Sequence, residues 1–276
     1  MASTEKTTAL KGKGLEAGSA ALVVESHLPQ PLEDDAIASE LTKLKILIKN
    51  HVQSYYHLSA VDASQIAADT RTIEAALPGT ALTPSRLAQF IANPTSRYAA
   101  LRLAIAWVVI SNVDVMSPPE TTLLPPAVAK CVETMTGMEG NEEARMAFLS
   151  KWCSITSTLM KPTYSRNPFS SSDPRNHNIA KAVDALEALL RPYASDRVSI
   201  SERRTNLEEI VRRGASFAFL LFSQPSFFTF EWEEQNGTEA GSLVVFPAML
   251  QVADEAAVPL ARPRVFGDME VVRRLA

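Results

Sequence analysis

The chain has 276 residues, of which 46% are apolar and 21% charged, and its formal net charge is -4. Ten glycines and two cysteines exclude a collagen-like repeat and a disulfide framework, and the ordinary apolar fraction excludes wholesale disorder. With 27 Lys and Arg against 31 Asp and Glu, there is no dense positive footprint to displace counterions from phosphates, so nucleic acid is not an expected partner.

Residues 1–32 are rich in Thr, Ser, Gly, Lys and Ala, show no period and end in Pro29-Gln30-Pro31, which predicts a disordered tail. The apolar patch Ala20 to Val24 is too short, and Glu5 and Glu16 too acidic, for a secretory or mitochondrial signal. From Asp34 the pattern turns helical. Ile37, Leu41, Leu44, Ile48, His51 and Tyr55 follow at spacings of four and three, one seam of a helix, behind acidic residues that suit a helix N-terminus.

Further helices are predicted from Asp62 to Leu77, stopped by Pro78-Gly79, and from the cap-plus-proline Thr83-Pro84 to Ile91. The next runs from Thr95 to about Asn112 and is apolar almost all round, as a central core helix should be. Its strictly apolar run, Leu103 to Ile110, is far short of the roughly 20 residues a bilayer span needs, so no membrane is expected and the address reads as cytoplasmic or nuclear. After Pro118-Pro119 and Pro125-Pro126, helices are expected at Ala127 to Met135 and Asn141 to Met160, separated by Gly137 and Gly140. Residues 161–173 read as an exposed loop, whose Ser165 and Ser170 to Ser172 near Arg166 and Arg175 suggest phosphorylation sites. Asp173-Pro174 opens a helix to Leu190 with Val183, Leu186 and Leu190 on its buried side, and Ser199 opens another to Phe222, its polar first half expected to project into solvent.

After Pro225 the period becomes two. Phe228, Phe230 and Trp232 alternate with Thr229, Glu231 and Glu233, Asn236-Gly237 is a hairpin signal, and Ser242 to Val252 is the expected partner, with Pro247 marking an edge, a bulge or a break. Residues 256–276 read as an extended tail closed by a short helix. The fold class is therefore mainly α: a disordered tail over 1–32, then one helical domain over 33–276 with a short C-terminal β-hairpin at about 226–255.

Two segments carry a resemblance. The helix Leu44-Lys45-Ile46-Leu47-Ile48-Lys49-Asn50-His51-Val52-Gln53-Ser54-Tyr55-Tyr56-His57, and the closing Phe230-Glu231-Trp232 with Gly241-Ser242-Leu243-Val244-Val245-Phe246-Pro247-Ala248, resemble a set of uncharacterised proteins from filamentous fungi (ascomycetes). The resemblance covers most of the chain from about residue 35. It implies a fungal, mainly helical protein and brings no activity, cofactor or catalytic residue.

The residues themselves offer few chemical constellations. There is no Gly-x-Ser-x-Gly elbow, no Gly-x-Gly-x-x-Gly and no P-loop, and Cys131 and Cys153 lack partners at metal-ligand spacing, so they read as reduced, buried thiols and no metal or cofactor is expected. His51 and Tyr55, four apart, could place an imidazole and a phenol on one ligand, while the plainer reading has His51 satisfied inside the seam. Phe228, Phe230 and Trp232 could form an interaction surface, or be the buried face of a sheet docked on helices. Arg203-Arg204 and Arg212-Arg213, set among Glu202, Glu208 and Glu209, read as a solvated, compensated face, with a DNA-contacting helix as the sharper alternative. The leading expectation is a non-enzymatic protein acting through contacts with a protein partner, as a regulatory or accessory factor. The alternative is a small-molecule binder or enzyme of fungal secondary metabolism with a pocket at His51 and Tyr55.

Overall fold

Helix starts in this chain are written locally, and a computed structural model shows where each one leads; it describes residues 23, 25–62, 64–135, 141–234 and 241–273. Most of the tail predicted over 1–32, together with Gly137, Gly140 and Asn236-Gly237, lies outside these residues. Residues 25–27 of that tail are helical, with the Ser26 hydroxyl donating to the Val23 carbonyl. Pro31–Ala276 forms one compact unit.

In that unit α1 spans Asp34–Tyr55, with Asp34 and Asp35 in its first turn, and it buries Ile37, Leu41, Leu44, Ile48, His51 and Val52. The four-three spacing thus faces the core, while Tyr55, at the end of the seam, stays half-buried. Helices α2 (Ser64–Ala76) and α3 (Pro84–Ala92) pack on each other, and the Thr83 hydroxyl caps α3 by accepting from the Arg86 amide. Helix α4 (Arg97–Ile110) is buried at every position except Tyr98 and Trp107, and it touches α1, α3, a later helix pair and the C-terminal strands. It is the axis of the core.

Helix α5 spans Pro126–Met135 and α6 Glu142–Lys161, the latter capped by the Asn141 side chain on the Ala144 amide. The segment predicted as an exposed loop over 161–173 is more ordered than its prolines and serines suggested. Pro162–Arg166 continues α6 as a π-helical turn, and Asp173 is buried because it is ion-paired with the fully buried Arg175. Helix α7 is Arg175–Leu190, with Val183, Leu186 and Leu190 buried as the sequence predicts, followed by a 3-10 turn, Arg191–Tyr193. Helix α8 is Ile200–Phe222, capped by Ser199. Its polar first half does not project into solvent: Arg203 and Leu207 are buried, because Arg203 finds an acid, Glu187, on α7.

The closing region is mixed. Strand β1 (Phe227–Glu231) pairs antiparallel with β3 (Ala248–Ala253), and β3 with β4 (Pro259–Gly267), giving the order β1-β3-β4. Strand β2 (Leu243–Phe246) instead pairs antiparallel with β5 (Glu270–Val272) in a separate sheet. Pro247, with no amide donor, is the break between β2 and β3, so the expected partner of β1 begins at Ala248 rather than Ser242. No helix occurs among the described residues beyond 255; the tail predicted there is strand. Gly267 lets β4 reach α1, since a β-carbon there would run into Leu41.

Candidate functional site

His51 sits inside α1's buried seam at 1% exposure, and both ring nitrogens are matched. Nδ1 lies 2.7 Å from Asn206 Oδ1 and Nε2 lies 3.0 Å from the Tyr56 hydroxyl. The tautomer that satisfies both is neutral, with Nδ1–H donating to Asn206 and the Tyr56 O–H donating to Nε2. Burial, opposed by the Asn206 bond and reinforced by nearby Arg203, lowers the imidazole to about 4. Burial also pushes the Tyr56 phenol well above its usual range. Both ring nitrogens are thus engaged by side chains of the fold.

Tyr55 does share the face, its ring 4.9 Å from the imidazole, but its hydroxyl points to Glu202 at 3.4 Å. Neither His51 nor Tyr55 lines any of the three clefts described below. The cluster is instead part of a buried polar knot. Arg203 pairs with Glu187 at 2.8 Å and lies over the Tyr56 ring, and Tyr98 donates to the Tyr56 carbonyl. Beside it, Tyr193 donates to Asp69, and Arg97 lies over the Tyr193 ring.

The aromatic alternation of β1 divides between two places. Phe228 meets Phe266 of β4 edge-to-face at 5.2 Å, and with Phe230 it lines a cleft of about 40 Å³ that also holds Asp114, Cys153 and Ser226. That is room for a water or two. Burial pushes the Asp114 carboxyl above its usual range, and burial together with that carboxylate pushes the Cys153 thiol up to about 12, so it is no nucleophile at neutral pH. Trp232 leaves this face and pairs with Trp107 of α4, ring centres 4.8 Å apart, in a second cleft. The three aromatic residues are thus half-buried packing elements with cleft-lining edges.

The cysteine expectation is half corrected: Cys153 is buried, but Cys131 is exposed, because α5 turns it away from the Val128, Ala129 and Val132 face that packs. The arginine doublets are engaged, Arg203 and Arg204 with Glu187 and Asp184 of α7, Arg212 with Glu208 and Arg213 with Glu40. Arg175, near the candidate phosphorylation serines, is fully buried, bonded to Asp173 and stacked on Tyr164 and Phe169. Among the described residues no cluster of His, Cys, Asp or Glu could hold a metal, and no helix is long and apolar enough to cross a membrane.

Helix α6 carries a feature the sequence reading missed. Its buried residues include the small Ser150, Cys153 and Ser157, with the Ser150 hydroxyl donating to the Pro225 carbonyl. On the far side Phe148, Trp152, Ile155 and Leu159 follow at spacings of four, three and four; Phe148 and Leu159 are 65% and 77% exposed, while Ile155 is half-buried and Trp152 also meets Phe222 of α8 edge-on at 5.9 Å. A cleft of about 200 Å³ beside this stripe, between α5 and α6, is lined by Met116, Val132, Met135, Arg145, Leu149 and the Phe148 and Trp152 rings. The spacing was legible, but periodicity reports a face without saying whether this chain covers it.

No protein-family model, curated protein or solved structure matches the chain.

Proposed function

We propose that the chain acts by binding rather than by catalysis, as a regulatory or accessory factor that engages a protein partner through the outward stripe of α6. One observation carries the reading: α6 buries mostly small side chains, Ser150, Cys153 and Ser157 beside Leu149, while Phe148 and Leu159 stand 65% and 77% exposed on the opposite side, more apolar surface than a helix serving only its own core leaves open. Four residues at four-three-four spacing, over a rise of roughly 16 Å, are what a second helix of the same period would interlock with. The matching partner chemistry is an amphipathic helix with bulky apolar side chains on one seam, in the helix-in-groove manner.

The test is photo-cross-linking in cells that express the full chain, with benzoylphenylalanine in place of Phe148. A discrete adduct is expected from position 148 and lost on Leu159→Asp, with none from the same probe at Ile46, an exposed apolar site on α1 at 49% exposure. Absence of an adduct at 148, or equal adducts at 148 and 46, overturns the reading.

A further inference from the structure

Trp107 and Trp232 form two walls of an open cleft of about 220 Å³ between α4 and the C-terminal strands. The rings meet at 4.8 Å with 52° between their planes, and both border the space between α4 and β2. The α4 wall is anchored. The Trp107 indole N–H donates to the Pro78 carbonyl at 3.2 Å, and Leu103, Leu243 and Val244, which also line the space, are buried members of α4 and β2. Gly79, at φ +74°, carries the turn after α2 past the indole, with its position 3.9 Å from the ring even for an added β-carbon.

The volume exceeds the roughly 150 Å³ of an apolar cavity that holds benzene, so a ring with a short side chain fits. The polarity is also one-sided. Glu233 is the one charged side chain among the described lining residues, and it is exposed. The indoles attract a cation by their quadrupoles, and a carboxylate in the same lining adds a counter-charge. The Glu233 carboxylate repels the charge of a carboxylate-bearing ligand.

From this geometry we infer that the cleft is a binding site for a small arylalkyl ammonium, its ring against the two indoles and its charged nitrogen toward Glu233. The inference uses residues separate from the α6 stripe, and the third tryptophan, Trp152, reports on that other surface. Indole N–H cross-peaks of the ¹⁵N-labelled full chain, assigned by single Trp→Phe replacements, are followed as 2-phenylethylammonium, 2-phenylethanol or 3-phenylpropionate is added.

The ammonium is expected to shift the Trp107 and Trp232 peaks saturably while Trp152 stays still. The alcohol should bind about tenfold more weakly, and the carboxylate weaker again. Glu233→Gln, an exposed change, should lower the ammonium's affinity severalfold, leaving the smaller preference the indoles supply, and leave the alcohol unchanged. Equal affinity for ammonium and alcohol overturns the assignment of charge recognition, and immobile Trp107 and Trp232 peaks up to millimolar ammonium overturn the site itself.

Discussion

The guanidinium of Arg97 stands 4.8 Å from the centre of the Tyr193 ring while its nitrogens donate to four backbone carbonyls, those of Ile91, Ala92, His57 and Ser59. Two of those carbonyls end α3 and two belong to the segment that leaves α1. One fully buried side chain therefore terminates a helix and ties down a crossing. Its planar fork reaches all four acceptors at once, and a lysine's single nitrogen cannot. Arg97→Lys is expected to lower unfolding stability by about 2–4 kcal/mol, read as a shift of the urea midpoint with unchanged slope.

His51 makes stability depend on pH with a definite sign. Folded, its pKa is lowered to about 4, against an ordinary value of 6.5, so between these limits the unfolded chain binds the extra proton. Stability from this group is full above about 6.5, falls as pH drops toward 4 and is constant below. The contribution is roughly 3 kcal/mol at most. The gap between the wild type and His51→Gln, measured by thermal unfolding at several pH values, should narrow across that window; a gap independent of pH would falsify the assignment.

The two thiols differ in environment more than in sequence. Cys131 is exposed, while Cys153 is buried and its thiol is pushed up to about 12. A chromogenic disulfide reagent should titrate one thiol per native chain at pH 8 and two after denaturation. Cys131→Ser should abolish the native signal.

Gly214 of α8 faces Val109 of α4 with no space for a methyl group, and Leu123 closes the other side. Alanine in a helix interior normally gains up to about 1 kcal/mol over glycine. Here the stiff, β-branched valine must move, so overpacking of about 1–3 kcal/mol exceeds the propensity gain. Gly214→Ala should thus lower the melting temperature, and Gly214→Ala with Val109→Ala should recover part of the loss.

The α6 stripe should behave in the opposite way from a core. Phe148→Asp with Leu159→Asp is expected to change stability by no more than about 0.5 kcal/mol per site, because neither side chain is buried in the isolated chain. Calorimetry of the two proteins checks this. A loss of several kcal/mol would mean that the stripe is held by this chain itself.

Much of the helical framework was written in short-range signals. Thr83-Pro84, Asn141 and Ser199 each open a helix where capping chemistry requires, and the seam from Ile37 to His51 faces the core as its spacing dictates. What escaped were long-range matters. Glu187 and Arg203 lie on different helices, so only packing could show that Arg203 is buried and paired. Likewise β5 as partner of β2 lies across β3 and β4 in sequence, and no local signal marks it. Trp107 looked like one more apolar residue of α4, although with Tyr98 it is one of two positions there that are not buried.

The break at Pro247 bears on the order in which the chain can finish folding. Leu243 to Phe246 are all buried in the native protein, yet their strand partner is Glu270–Val272, and β3 on the other side of the proline waits for β4 as well. At ordinary translation speed β5 follows β2 off the ribosome by roughly one to five seconds. For that interval the Leu-Val-Val-Phe segment has α4 to pack on but no strand to pair with, so its unpaired edge is where slowed synthesis would first show as aggregate.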